Sequence, residues 1–267
     1  MNKNYTDELT NKGIVRIENF LNSKELNSLS KIIKYYSAPK GSPNSYFPTN
    51  IKLLLYKVLK FDFVKLKHSL ALLNFEKKRG LGDLISKVYQ KKSYLRYIDA
   101  YYNKVSDKAI IPWHTDQAYH GSKNPKEFVH PDDYFIKIFI YLTDVGPDNG
   151  CMSYIPQSHK IGYAIRKGIY EKKISYEPYW NLKDLRKIVK KKDNLKYFEN
   201  YFKDKSFIEK FFDLTKFIEN DSNDSEFDYS VKAGSAIIFN EGGVHKGSKN
   251  MFTDRMVLRY LYSVFKR

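Results

Sequence analysis

Four short stretches decide the fold of this chain: IPWHTD at residues 111–116, FIKIFIYL at 135–142, GPDNG at 146–150 and YIPQSH at 154–159. The second is rich in Phe, Ile and Tyr and reads as a buried strand. The third is a turn, and the segment from Met152 to Ile155 is a further strand. Trp113 to Asp116 also reads as strand. Side chains on a strand alternate, so His114 and Asp116, two apart, share one face and look into a barrel. A third ligand must come from elsewhere, and His245, behind the Gly242-Gly243 turn, is the candidate. Two imidazoles and one carboxylate on one side of a metal leave coordination positions open, the arrangement of non-haem Fe(II) oxygenases.

The spacing alone is weak evidence, since a His-x-Asp triplet arises readily by accident. His114 as a core histidine and Asp116 as a turn cap is the bland alternative.

Outward from this centre, Ile14 to Ile17 is a short strand after a turn at Gly13. Asn22 and Glu25 have capping-box spacing at the start of a helix reaching Tyr36. Residues 51–89 are helical in pattern. Tyr94 to Tyr102 alternates as a strand, and Asn103 to Ile110 reads as a polar connection. Residues 117–133 form a long polar loop. Further strands are expected at Tyr229–Val231, Ala236–Phe239, Val244–Gly247 and Met256–Phe265. The fold class is therefore α+β, mainly β. One domain is expected over 1–267: helical support at about 22–90, barrel strands at about 94–160 and 229–265, and an insertion at about 161–228. The insertion opens as mixed loop, then turns helical through Leu182–Val189 and Phe207–Phe217. It shows little core of its own.

Composition narrows the class. The chain has 267 residues, 42% of them apolar, with 23 Tyr and 18 Phe, so many buried hydroxyls need partners. A single cysteine, Cys151, permits no intrachain disulfide and fits a reducing, cytoplasmic setting. No run is long enough for a membrane span. The net charge of +17 permits anionic partners, but the lysines are scattered.

In its motifs the sequence resembles the phytanoyl-CoA dioxygenase family of Fe(II)- and 2-oxoglutarate-dependent oxygenases. WHTD at 113–116 is similar to the family's Trp-His-x-Asp box. YLTDVGPDNG at 141–150 and IPQSHK at 155–160 match its strand, turn and Pro-Gly-Ser-His-Lys segment, and NKGIVRIENFL at 11–21 its opening strand. HKGSKN at 245–250, with Arg255 ten residues past His245, is similar to its distal box. The region from about 162 to 226 departs from the pattern.

The resemblance implies a double-stranded β-helix, a jelly-roll of cupin type, flanked by helices. It implies that His114, Asp116 and His245 bind Fe(II), and that Arg255 pairs with the distal carboxylate of 2-oxoglutarate, with Arg259 as fallback. A guanidinium suits that task because its planar fork matches a carboxylate. Gly247 stands where the family often has serine, which leaves Ser248 as the candidate hydroxyl. Gln157 replaces a family glycine. Lys104 lies where the family often has a lysine. Trp113, Gln117, Tyr119 and His120 are candidate substrate contacts. The reaction implied is hydroxylation of an unactivated C–H bond by O2, with succinate and CO2 released. The substrate is expected to be a small, anionic metabolite.

Three rival readings compete. An oxygenase acting on nucleic acid would use the positive charge, yet no nucleic-acid motif is present. A non-catalytic barrel is disfavoured because all three ligands and the arginine stand. A zinc hydrolase lacks a general base beside the ligands. The oligomeric state is not legible.

Overall fold

A computed structural model of the protein describes residues 3–37, 44–116, 130–218 and 225–264. Its main sheet is built around a strand, β10 (Arg255–Val264), whose ten residues are all buried. The strands before it are β1 (Ile14–Ile17), β2 (Asn44–Phe47), β3 (Ser93–Asn103), β4 (Ser106–His114), β5 (Tyr134–Tyr141), β6 (Met152–Tyr154), β7 (Asp228–Tyr229), β8 (Ala236–Asn240) and β9 (His245–Asn250). They form a six-stranded sheet in the order β1-β8-β5-β10-β3-β2 and a four-stranded sheet in the order β4-β9-β6-β7. All named pairings are antiparallel. The two sheets make the expected jelly-roll, a double-stranded β-helix flanked by helices.

Alternation assigns each face of the larger sheet. On one face Ile136, Ile138 and Ile140 of β5 and Met256, Leu258 and Tyr260 of β10 join a core against the N-terminal helices. Those helices are α1 (Lys3–Lys12), α2 (Ser23–Ser37), α3 (Ile51–Leu59), α4 (Phe63–Arg79) and α5 (Leu81–Tyr89). The buried tyrosines find partners there, as buried hydroxyls must. Tyr260 Oη donates to the Leu72 carbonyl at 3.0 Å and Tyr262 Oη to Glu76 Oε1 at 2.5 Å, so β10 is pinned to α4. The capping box at α2 forms in both directions, Glu25 N–H to Asn22 Oδ1 and Asn22 N–H to Glu25 Oε2.

The opposite face looks into the barrel. Tyr141, Tyr154, Phe239 and Val257 pack there, and the same parity aims Lys137, Arg255 and Arg259 at a cavity.

Three expectations need correction. The segment expected to connect Asn103 to Ile110 is already strand from Ser106. Strand β4 ends at His114, and Asp116 lies in a turn, so strand alternation is not what brings the pair together. The loop expected after Ile161 is instead helix α6 (Ser158–Tyr170). Its glycines hid the helical period, but Gly162 is there because α6 packs against the Gly242 carbonyl, where a Cβ has no room.

The insertion also has a substantial core. Residues from α6, α7 (Leu182–Lys190), α8 (Lys192–Phe202) and α9 (Lys205–Leu214) bury one cluster, including Ile165, Leu185, Val189, Phe198 and Phe211. Ile155 and Val244, from the barrel, complete it. The described residues contain no helix long and apolar enough to cross a membrane.

His159, in the first turn of α6, is buried and its Nδ1 has no hydrogen-bond partner among the described residues. Burial, aided by the Lys160 ammonium, pushes its pKa down from 6.5 to about 4. Between those values the unfolded chain takes up a proton that the folded chain refuses, so stability falls as pH falls through that window. The loss expected from this one group is up to about 3 kcal/mol on going from pH 6.5 to 4. Urea unfolding at several pH values should show it, and His159→Gln should flatten that part of the curve.

Candidate metal centre

Strands β4 and β9 pair so that His114 lies directly across from His245. Their rings are 4.3 Å apart between centroids. Each imidazole is oriented by the same local device. His114 Nδ1 lies 2.7 Å from the carbonyl of Pro112, and His245 Nδ1 lies 2.9 Å from that of Gly243. A carbonyl can only accept, so each Nδ1 carries the proton and donates it. Each Nε2 is thereby turned towards Asp116, where in the neutral ring its lone pair can serve a metal.

Asp116 reaches the same point from the turn after β4. Its N–H donates to the Glu241 carbonyl at 3.2 Å, and the N–H of Thr115 donates to the Trp180 carbonyl at 2.9 Å. Thr115 is buried, its hydroxyl bonding the Gly242 carbonyl at 3.2 Å. The turn is thus held by both the barrel and the insertion. Asp116 Oδ1 lies 3.6 Å from His114 Nε2, and Oδ2 lies 2.9 Å from His245 Nε2. One donor atom from each of the three residues falls within 4.8 Å of the others.

The turn before His245 is equally constrained. Ser158 Oγ accepts the Val244 N–H at 2.7 Å and donates to the Ile155 carbonyl at 2.6 Å. Gly243 cannot be anything larger, because a Cβ would overlap the Tyr154 hydroxyl. Tyr154 Oη in turn donates to the Asn240 carbonyl at 3.1 Å.

Charge around the centre is dense. Lys137, on β5, is buried and pairs with Asp116 Oδ2, and it lies 3.3 Å from Glu241 Oε2. Withdrawal from water would raise Asp116, but the Lys137 ammonium and the His245 imidazole outweigh it and hold the carboxyl well below the ordinary range. Burial would discharge Lys137, but Asp116 and Glu241 outweigh that and raise its pKa. Burial lowers His245, against the pull of Asp116, so its imidazole is neutral at pH 7. Such a donor set, two imidazole nitrogens and one ionised carboxylate, fits a divalent first-row metal.

A cavity of 420 Å³ opens beside the triad. Arg255 is at its wall, 4% exposed, with one NH group on Asn103 Oδ1 at 2.9 Å and its buried Nε without a hydrogen-bond partner among the described residues. Arg259, the fallback, has its fork filled: Nε meets Asp99 Oδ1 at 2.7 Å and an NH group meets Asp99 Oδ2 at 2.6 Å. Arg255 is therefore the guanidinium with capacity to spare.

Other candidates lie elsewhere. Ser248 falls on the opposite face of β9 from His245, and its hydroxyl donates to the Cys151 carbonyl at 2.9 Å. Gly247, not Ser248, lines the cavity. Lys104 is exposed and does not line it; its neighbour Asn103 does. Trp113 points away from His114 and packs on Phe217 and Phe227 at 5.9 and 6.3 Å between centroids. Gln117, Tyr119 and His120 lie outside the described residues.

Lys137 and Glu241 were not anticipated from sequence. The available signal was a lysine at an inward position of the buried run FIKIFIYL. Trp180 was missed as well: its ring lies 5.2 Å from that of His114.

The sequence profile of the phytanoyl-CoA dioxygenase family (PhyH) matches residues 9–256. The chain belongs to this family. Comparison with curated proteins gives no match. Among solved structures, the family member is similar to HygX from Streptomyces hygroscopicus, determined with nickel and 2-oxoglutarate bound, at 15% identity and TM-score 0.55, covering 100% of this chain and 88% of that one. It is also similar to EvdO2 from Micromonospora carbonacea var. aurantiaca complexed with 2-oxoglutarate (12%, TM-score 0.56, 99% and 91% covered). A third is SnoK, a non-heme alpha-ketoglutarate-dependent carbocyclase from nogalamycin biosynthesis (13%, TM-score 0.57, 99% and 84% covered). At these identities the likeness establishes the fold.

Removing the Lys137 ammonium would leave Asp116 and Glu241 facing each other without a counter-charge. Lys137→Met is expected to lower stability by about 3–5 kcal/mol, read by denaturant unfolding of the metal-free protein. Adding Glu241→Gln should recover part of that loss, and an additive double variant would contradict the pairing.

Proposed function

We propose that the protein is an Fe(II)- and 2-oxoglutarate-dependent dioxygenase that hydroxylates a C–H bond of a small, anionic metabolite, the whole chain acting as one domain in a cytoplasmic setting. The observation that carries this reading is the convergence of His114, Asp116 and His245 beside an arginine with an unpaired, buried nitrogen. The Nε2 atoms of the two histidines and the Asp116 carboxylate would hold the iron. Arg255 would take the distal carboxylate of 2-oxoglutarate through the N–H groups that Asn103 leaves open. With both bound, the centre supplies oxidation by O2 coupled to decarboxylation of 2-oxoglutarate to succinate, one oxygen atom going to the substrate.

The remaining roles fall to the protein. Lys137 keeps Asp116 ionised and fixed, so the carboxylate is ready as a ligand without a proton to lose. The Pro112 and Gly243 carbonyls hold the imidazole planes. The cavity, at 420 Å³, has room for a small acid beside 2-oxoglutarate and restricts the size of the molecule oxidised. Of the cations that line it, Lys137 and Arg259 are neutralised by carboxylates, whereas Arg255 and Lys246 have no carboxylate partner among the described residues. With Arg255 given to 2-oxoglutarate, Lys246, whose ammonium lies 5.1 Å from the centroid of the Trp113 ring, is the remaining uncompensated positive charge near the cavity.

Succinate formation from 2-oxoglutarate with Fe(II), across a library of small acids, tests the assignment. His114→Ala is expected to abolish turnover and to weaken iron binding by more than about 100-fold. Persisting coupled turnover in that variant would refute the ligand set. For Arg255→Ala the expected loss is in 2-oxoglutarate affinity, about 2–5 kcal/mol or at least roughly 30-fold, with iron affinity little changed. Titration of each variant with metal and with 2-oxoglutarate separates the two effects.

A further inference from the structure

Helix α3 buries none of its residues. Its side chains are nevertheless mostly apolar: Ile51 is 71% exposed, Leu55 54% and Leu59 75%. The helix leads through a tight turn into α4, and the tip adds Phe61 at 80% and Phe63 at 55% exposure. A helix apolar on all sides and left in water demands a covering partner.

The tip is well built, so its exposure is not that of a frayed end. Asn50 caps α3 through Leu53 N–H at 3.0 Å, and Asp62 caps α4 through Lys65 N–H at 3.2 Å. The Phe61 and Asp62 N–H groups close the turn onto the carbonyls of Val58 and Lys57, both at 2.9 Å. Phe61 is held at φ 52°, a left-handed conformation that a bulky residue rarely adopts. The turn thus presents an aromatic ring to solvent from a strained but fully bonded backbone.

Charge identifies the partner. From Ile51 to Leu70 there are five lysines and one acid, Asp62. That acid is already used, as the cap of α4 and as the partner of Lys57 at 3.3 Å. Lys52, Lys60 and Lys67 are exposed among the apolar side chains. A second copy of the chain fits poorly, because a two-fold contact would set this patch against itself, lysine facing lysine with no free carboxylate. An anionic lipid surface fits on both counts. Its acyl layer accepts the aliphatic and aromatic tip, and its phosphates accept the ammonium groups, whose stems lie along apolar surface. The chain's +17 charge adds long-range attraction.

We propose that the α3–α4 hairpin docks the protein reversibly on anionic membranes, with Leu59, Phe61 and Phe63 entering the bilayer surface and Lys52, Lys60 and Lys67 on its headgroups.

The full-length protein is mixed with vesicles of pure phosphatidylcholine or of phosphatidylcholine with phosphatidylglycerol, and sedimented. Binding is expected to the anionic vesicles only and to weaken with salt. Leu59→Ser with Phe61→Ser and Phe63→Ser, and separately Lys52→Glu with Lys60→Glu and Lys67→Glu, should each reduce it by at least about tenfold. These residues are exposed, so the thermal midpoint serves as the control for folding. In a Phe61→Trp variant the indole emission should shift to the blue on anionic vesicles. The proposal is overturned by equal binding of wild type and both triple variants, or by no binding at all. It is also overturned if sedimentation velocity without lipid shows a dimer that the serine variant dissociates, or if the patch proves to serve a protein partner instead of lipid.

Discussion

The pairing of His114 with His245 across two antiparallel strands is the constraint on which the site depends. These residues lie far apart in the chain, and only the closure of the smaller sheet brings their rings within 4.3 Å. Register on a strand is all or nothing, since a slip of one residue turns every side chain to the other face. The pairing is accordingly over-determined. The turn before His245 is fixed by Ser158 and has no room for a side chain at Gly243, while the end of β4 is fixed through Thr115.

Around that pair the interior is charged, which a barrel can hold only if each charge has a counterpart. Arg259 is closed off by Asp99, and Lys137 is shared between Asp116 and Glu241. Of the described residues that line the cavity, these pairs leave Arg255 as the buried cation with unspent donors. Selectivity for a dicarboxylic cosubstrate would then rest on what its neighbours have already neutralised, as well as on the arginine itself.

Much of this was readable from the chain. The Phe-, Ile- and Tyr-rich run of β5 and the turn at 146–150 were legible because strand composition and turn chemistry are local properties, and the family resemblance carried by the histidine boxes added the barrel and the convergence of His114, Asp116 and His245. What was not readable depended on contacts distant in sequence. Asp116 meets the histidines from a turn, because the insertion and the Glu241 carbonyl halt β4 at His114. Ser248 had a plausible hydroxyl, but the parity of β9 turned it towards Cys151. Trp113 looked like a pocket residue and became a foundation for the helical cluster. Helix α6 was concealed by its glycines, of which Gly162 serves close approach to the distant Gly242, a purpose invisible locally.

The hydrogen bond from Thr115 to the Trp180 carbonyl ties the helical insertion to the tetrapeptide that bears two of the three converging groups. The insertion is therefore no interchangeable cassette. A replacement for the insertion in this chain would have to supply a backbone oxygen at that spot. The insertion and the centre are coupled through that main-chain oxygen, through the Trp180 ring beside His114 and through Trp113 on Phe217 and Phe227.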